Sequence, residues 1–70
     1  MTVAERFGRN LYTARWEARF TQDEFAAQVF MNRAALSRLE NGHRPPRLDD
    51  MVRLAEVLGV QVRDLLHGIE

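Results

Sequence analysis

The stretch Asn32-Arg33-Ala34-Ala35-Leu36-Ser37-Arg38-Leu39-Glu40-Asn41-Gly42 gathers hydrogen-bond donors on one side of a short helix. At 100° per residue, Arg33, Ala34, Ser37, Arg38 and Asn41 share an arc of about 140°; Ala35, Leu36 and Leu39 span about 100° on the other side, with Glu40 at the border. The outward arc carries two guanidinium groups, a hydroxyl and a carboxamide, and no carboxylate. Guanidinium forks match phosphate oxygens and the O6 and N7 acceptors of guanine. Ala34 and Ser37 are small enough to let the helix come close to such a partner, while Arg33 and Arg38 reach to either side. A helix of about ten residues is ~15 Å long and fits a B-DNA major groove ~12 Å wide. The plainer reading is a solvated surface, because exposed charges are usually only that. Ser37 suits a small, helix-tolerant role equally well.

Other chemistry finds little support. Without cysteine there is neither a disulfide nor a zinc–thiolate site. His43 and His67 lie too far apart for a metal pair, no glycine-rich phosphate loop is present, and no serine stands beside a base. Seventy residues also leave little volume for a substrate pocket. The expectation is a protein that is not an enzyme and needs no metal or cofactor. Ten basic residues balance ten acidic ones, so the global positive field of a typical nucleic-acid binder is missing. All ten basic residues are arginine, which GC-rich codon usage explains as readily as function does. The charge is segregated, however: from Phe30 to Arg47 four arginines face one glutamate, a local net charge of +3. No run resembles a signal peptide or a membrane span, which makes the cytoplasm of a bacterium the simplest compartment.

The donor-bearing segment needs neighbours to hold it, and the pattern around it is helical from end to end. Thr2-Val3-Ala4-Glu5 reads as a capping box opening a first helix of about sixteen residues, with Phe7, Leu11, Ala14 and Ala18 as its apolar stripe. Trp16 falls off that stripe. A second capping box, Thr21-Gln22-Asp23-Glu24, opens a short helix whose inner face is Phe25, Ala26 and Val29. Phe30 and Met31 interrupt it. Asn32 is an N-cap for the third helix, and Gly42 supplies its left-handed end. Pro45 and Pro46 stiffen the following loop. A fourth helix starts near Leu48, with Leu48, Met51, Val52, Leu54, Ala55 and Leu58 covering one broad side until Gly59. A last one runs from about Val62 to Leu66. Only about three residues separate the second and third helices, the spacing of a helix-turn-helix unit. The chain is read as one all-α domain over residues 1–70.

Thr21-Gln22-Asp23-Glu24-Phe25-Ala26, Leu36-Ser37-Arg38-Leu39-Glu40-Asn41-Gly42 and Leu54-Ala55-Glu56-Val57-Leu58-Gly59-Val60 together resemble the Cro and phage-repressor (XRE-type) helix-turn-helix family. The resemblance covers residues from about 5 to 66. It implies a compact five-helix, lambda-repressor-like DNA-binding domain and a transcriptional regulator acting on double-stranded DNA. Arg33, Ala34, Ser37 and Arg38 would face the bases. Gln22, Asn32, Asn41, Arg44 and Arg47 would hold the sugar-phosphate backbone, with Gln22 also bracing the neighbouring recognition residue. Arg15 and Glu40 would form a structural ion pair between helix one and the back of helix three. The chain departs from the pattern at Arg19 and Phe30, where the family usually has glycine. Side chains at left-handed turns cost of order 1 kcal/mol, and Phe30 is expected to compensate by capping the core beside Phe25.

One copy reads about half a turn of groove, so a homodimer on a two-fold site is expected, with half-sites ~34 Å apart or a multiple. Val60, Val62, Leu66 and Ile69 are its expected interface, being more apolar surface than so short a helix buries within itself. With no small-molecule effector domain expected, control would come from protein concentration, a partner or a larger parent chain. The competing class is a protein-interaction module on the same scaffold, such as an antitoxin or a restriction-modification controller component. The carboxylate-free face separates the two, because it suits an anionic partner better than a generic protein surface.

Overall fold

Local capping chemistry divides the chain into five helices. A computed structural model, describing residues 1–69, places them at α1 Val3–Glu17, α2 Gln22–Gln28, α3 Arg33–Glu40, α4 Leu48–Leu58 and α5 Val62–Leu65. Both expected capping boxes form. The Glu5 amide donates to Thr2 Oγ1 at 3.1 Å while the Thr2 amide donates to the Glu5 carboxylate at 2.7 Å. Thr21 and Glu24 repeat the arrangement at 3.1 and 2.9 Å. The donated backbone amides of Thr2 and Thr21 hold the Glu5 and Glu24 carboxyls below the ordinary glutamate value. Asn32 Oδ1 accepts from the Ala35 amide at 2.7 Å and starts α3. Asp50 and Asp64 reach back to the amides of Arg47 and Gln61 at the heads of α4 and α5.

The first four helices stop in one way. After α1 the Arg19 amide donates to Trp16 and the Phe20 amide to Arg15; after α2 the pair is Phe30 to Ala27 and Met31 to Ala26. After α3 it is Gly42 to Leu39 and His43 to Arg38, and after α4 Gly59 to Glu56 and Val60 to Ala55. This pair of hydrogen bonds, with a left-handed residue at its hinge, is the Schellman termination. Gly42 and Gly59 adopt φ of +72° there, which costs glycine nothing. Arg19 and Phe30 adopt +64° and +58°, so these turns keep the left-handed hinge that glycine would favour and the side chains bear the strain. The residues that follow three of the hinges, Phe20, Met31 and Val60, are apolar, half-buried and packed against the core. They return the chain to the interior at each corner.

Phe7, Leu11, Phe25, Ala26, Val29, Leu36, Leu39, Leu54, Ala55 and Leu65 form the buried core. Three expectations are corrected here. Phe30 does not cap this core: it is 85% exposed, because its left-handed backbone turns the ring outward, toward the Arg53 guanidinium at 6.0 Å. The ring beside Phe25 is instead that of Phe20, stacked at 5.5 Å. Leu48 and Val52 are exposed, since they lie about 70° and 110° around α4 from the middle of the buried side set by Leu54 and Ala55. Ala18 is the exposed C-cap of α1 rather than a core residue. Val60, Val62, Leu66 and Ile69 pack partly on the core and keep part of their surface open. Asn10 ties this end of the chain to α1, its Nδ2 donating to the carbonyls of Leu65 at 2.9 Å and His67 at 2.8 Å.

α1 crosses α3 at Gly8. A glycine inside a helix costs roughly 1 kcal/mol against alanine and so points to a close approach. A Cβ there would lie 2.4 Å from the Leu39 carbonyl oxygen and 2.5 Å from that of Glu40, both backbone atoms that cannot swing away. The two helices can touch at this depth only without a side chain. Gly8→Ala should therefore destabilise the fold by ~1–3 kcal/mol despite alanine's better helix propensity. Urea unfolding followed by circular dichroism measures this, and an unchanged or raised midpoint would contradict the crossing.

Candidate nucleic-acid interface

α3 stands between the core and solvent with its two sides well separated. Leu36 and Leu39 are fully buried and Ala35 is half-buried, while Arg33, Ala34, Arg38 and Asn41 are exposed and Ser37 is half-buried. Glu40 goes deeper than the border position its spacing suggests. It is only 9% exposed, so the one carboxylate of α3 faces inward. The outer surface of the helix is left with two arginines, small residues and an asparagine.

Arg15 is what makes the inward carboxylate possible. Its Nε donates to Glu40 Oε2 at 2.6 Å and its Nη2 to Oε1 at 3.2 Å, a two-pronged pair with both side chains nearly buried. Arg15 Nη1 donates to the Phe20 carbonyl at 2.9 Å, and the Tyr12 ring lies 5.2 Å from the guanidinium carbon. Buried charge is tolerated only when its hydrogen-bonding capacity is used in this way. A third donor completes the carboxylate: Gln22 Nε2 reaches Glu40 Oε1 at 2.9 Å. The other end of the same amide accepts from Arg33 Nε at 3.3 Å. Gln22 thus stands between the buried pair and an exposed arginine of the outer face. Arg33 Nη1 also lies 3.8 Å from Asp23 Oδ2, with both side chains largely in water, a contact of small energetic weight.

The flanking positions differ in how free they are. Asn32 uses its side-chain oxygen on the Ala35 amide. Asn41 turns its Nδ2 back to Ser37, donating to the carbonyl at 2.8 Å and the hydroxyl at 3.2 Å. Arg44 is half-buried and pairs with Asp50 at 3.5 Å, while Arg47 is exposed at the head of α4. The structure brings Gln22, Arg33, Ala34, Ser37, Arg38 and Asn41 together on or beside one surface, and sets Arg44 and Arg47 in the loop beyond Gly42. Sequence reasoning missed three contributors: Gly8, Asn10 and the Gln22–Glu40 bond. The mid-helix glycine was a usable signal for the first. Among the described residues there is no cluster of three or more metal-ligating side chains, and no helix is long and apolar enough to cross a membrane.

Glu40→Ala would strand the Arg15 guanidinium and the Gln22 amide in a nearly dry site. A loss of ~3–5 kcal/mol in unfolding free energy is expected. Chemical denaturation reads it directly, and a loss under about 1 kcal/mol would mean that the pair is solvated.

Comparison with known proteins agrees with this geometry. A family model described as a helix-turn-helix domain matches residues 6–67. The control protein C.MunI of Mycoplasma sp is 35% identical over 66 residues, spanning 93% of this chain and 89% of its own length. The restriction-modification controller protein C.AhdI of Aeromonas hydrophila superposes with a TM-score of 0.84 at 26% identity, covering 89% of this chain and 94% of that one. The clp gene regulator ClgR of C. glutamicum superposes with a TM-score of 0.91 at 26% identity, covering 94% and 85%. A match over nearly all of the sequence, with α2 and α3 joined by the short Phe30–Met31 turn, places this chain in the helix-turn-helix domain family.

Proposed function

We propose that this protein is a sequence-specific regulator of transcription that binds double-stranded DNA by setting α3 into the major groove. The observation that carries the reading is the inward Glu40, which leaves the outer side of α3 with Arg33 and Arg38 and no acid of its own. On this reading Arg33, Ala34, Ser37 and Arg38 meet base edges, and Gln22, Asn32, Asn41, Arg44 and Arg47 meet the sugar-phosphate backbone. Arg44 would exchange its pairing with Asp50 for a phosphate. The zero net charge of the whole chain fits because binding needs only the local field of the Phe30–Arg47 region.

The similarity to C.MunI, a control protein, and to C.AhdI, a restriction-modification controller, supports a regulatory role. It also favours a second, narrower reading in which the controlled genes belong to a restriction-modification system. Two-fold pairing on DNA belongs to the proposal. Val60, Val62, Leu66 and Ile69 retain open apolar surface on one end of the molecule and are the proposed contact. Sedimentation at micromolar concentration should report a dimer, and a monomer throughout would remove that element.

Selection of bound duplexes from a random pool tests the main reading. It should return a two-fold site whose affinity falls by about three orders of magnitude between ~50 and ~200 mM salt, as six or more phosphate contacts require. Salt-independent association with a protein, and no duplex enriched, would reverse the assignment in favour of a protein-interaction module. Two substitutions separate the roles of individual arginines. Arg38→Ala should cost ~1–3 kcal/mol at one base pair and relax preference there. Arg44→Ala should weaken all sequences alike and lower the salt slope by ~1. Competition binding on single-base variants of the selected site distinguishes these outcomes. Full affinity and preference in Arg38→Ala would show that α3 is docked the wrong way round.

A further inference from the structure

We propose that Glu40 is a positioning residue for base reading: it fixes the polarity of the Gln22 amide, which in turn holds Arg33 by its Nε and aims the far edge of the guanidinium at a guanine. This rests on the DNA-binding reading above. An ionised carboxylate can only accept hydrogen bonds, so the Gln22 side chain must turn its NH2 group toward Glu40 Oε1, and does so at 2.9 Å. The opposite end of that amide is then necessarily a carbonyl. It accepts from Arg33 Nε at 3.3 Å, a bond that an amide of reversed polarity could not make. Arg15 completes the chain, since its two bonds to Glu40 pair the carboxylate and fix its orientation in a nearly dry setting. The order Arg15, Glu40, Gln22, Arg33 therefore runs from the buried seam of α1 and α3 to solvent, with each donor and acceptor dictated by the one before.

The consequence is chemical selectivity. With Nε engaged by Gln22, Arg33 has Nη1 and Nη2 left to project outward, and its side chain is two-thirds exposed. Two parallel N–H donors at the end of the fork match the O6 and N7 acceptors of guanine and no other base edge in the major groove. Asp23 lies 3.8 Å from Nη1 in the free protein, too exposed to compete strongly with a paired base. The ligand feature assigned is thus one guanine in each half-site, read end-on by Arg33, and the residue that secures it lies out of reach of the DNA.

Base preference is the readout, because it is a ratio of affinities within one preparation and is unaffected by the fraction of protein that is folded. The guanine in question is the base pair whose preference disappears in Arg33→Ala. In Glu40→Gln the carbonyl oxygen stays on Arg15 Nε, whose 2.6 Å bond is the shortest of the three to this group, so the new NH2 takes the Oε1 place shared by Gln22 and the longer Arg15 Nη2 bond. It reverses the Gln22 amide, which then faces Arg33 with a donor. Preference for that guanine should fall by about tenfold while preference at the Arg38 position stays. Gln22→Met leaves the Arg15–Glu40 pair intact, so it folds if Glu40→Gln does not, and should show the same selective loss. The double variant Glu40→Gln with Gln22→Glu restores an acceptor facing Arg33 and should recover the guanine preference. Unchanged preference at this base pair in both single variants overturns the relay, as does a uniform loss at every position. Wild-type protein that selects no sequence at all overturns the DNA-binding reading itself, and does so before any variant is made.

Discussion

A carboxylate has to be taken off the surface of α3 and given partners inside the protein; the rest of the structure follows from how that is done. Left on the outer arc, Glu40 would repel phosphate and accept hydrogen bonds from its own arginines. Burying it alone would cost several kcal/mol. Arg15 meets the charge with two bonds of fixed geometry, and Gln22 supplies a third donor. These three residues come from α1, α2 and α3, so the solution binds the helix-turn-helix unit to the helix behind it. Electrostatics of the surface and packing of the interior are satisfied by the same group.

Close approach of α1 and α3 is the geometric condition for that bond. Gly8 admits the carbonyls of Leu39 and Glu40 to within van der Waals reach of the α1 backbone. Gly42 has a similar role just past the end of α3, where a Cβ would lie 2.6 Å from Glu5 Cα. The corners are equally constrained. Four successive helices end in the same left-handed hinge, and at two of them a side chain sits where glycine would be free of strain. Phe20 and Met31, just beyond those hinges, bury apolar surface that offsets the strain. The short turn between α2 and α3 survives Phe30 because backbone hydrogen bonds and Met31 specify it, leaving the Phe30 ring to point into solvent.

Much of this is legible from local signals. The capping boxes at Thr2 and Thr21, the cap at Asn32 and the stops at Gly42 and Gly59 each depend on residues within four positions of one another, and such rules act without knowledge of the fold. The division of α3 into a core side and a donor side comes from periodicity alone. Features that depend on what lies across the core are not legible in that way. Periodicity puts Glu40 at a border; only the arrival of Arg15 from α1 decides that it goes in. Phe30 reads as core by hydrophobicity, but its backbone conformation overrides the preference. Leu48 and Val52 belong to an apolar arc wider than the surface available to cover it. Asn10 bonds to residues more than fifty positions away, a distance at which no sequence pattern speaks.

The molecule has no net charge, yet its donors are displayed where they can be used and its conflicting acid is hidden and put to work as an anchor. Whether α3 is the surface that meets DNA is tested most directly by amide NMR during titration with a duplex recovered by selection. The largest shift changes are expected at Asn32, Arg33, Ala34, Ser37 and Arg38 and at Gln22, with the outer side of α4 around Val52 little affected. Changes centred on α4 or α5, with the amides of α3 left where they were, would contradict it.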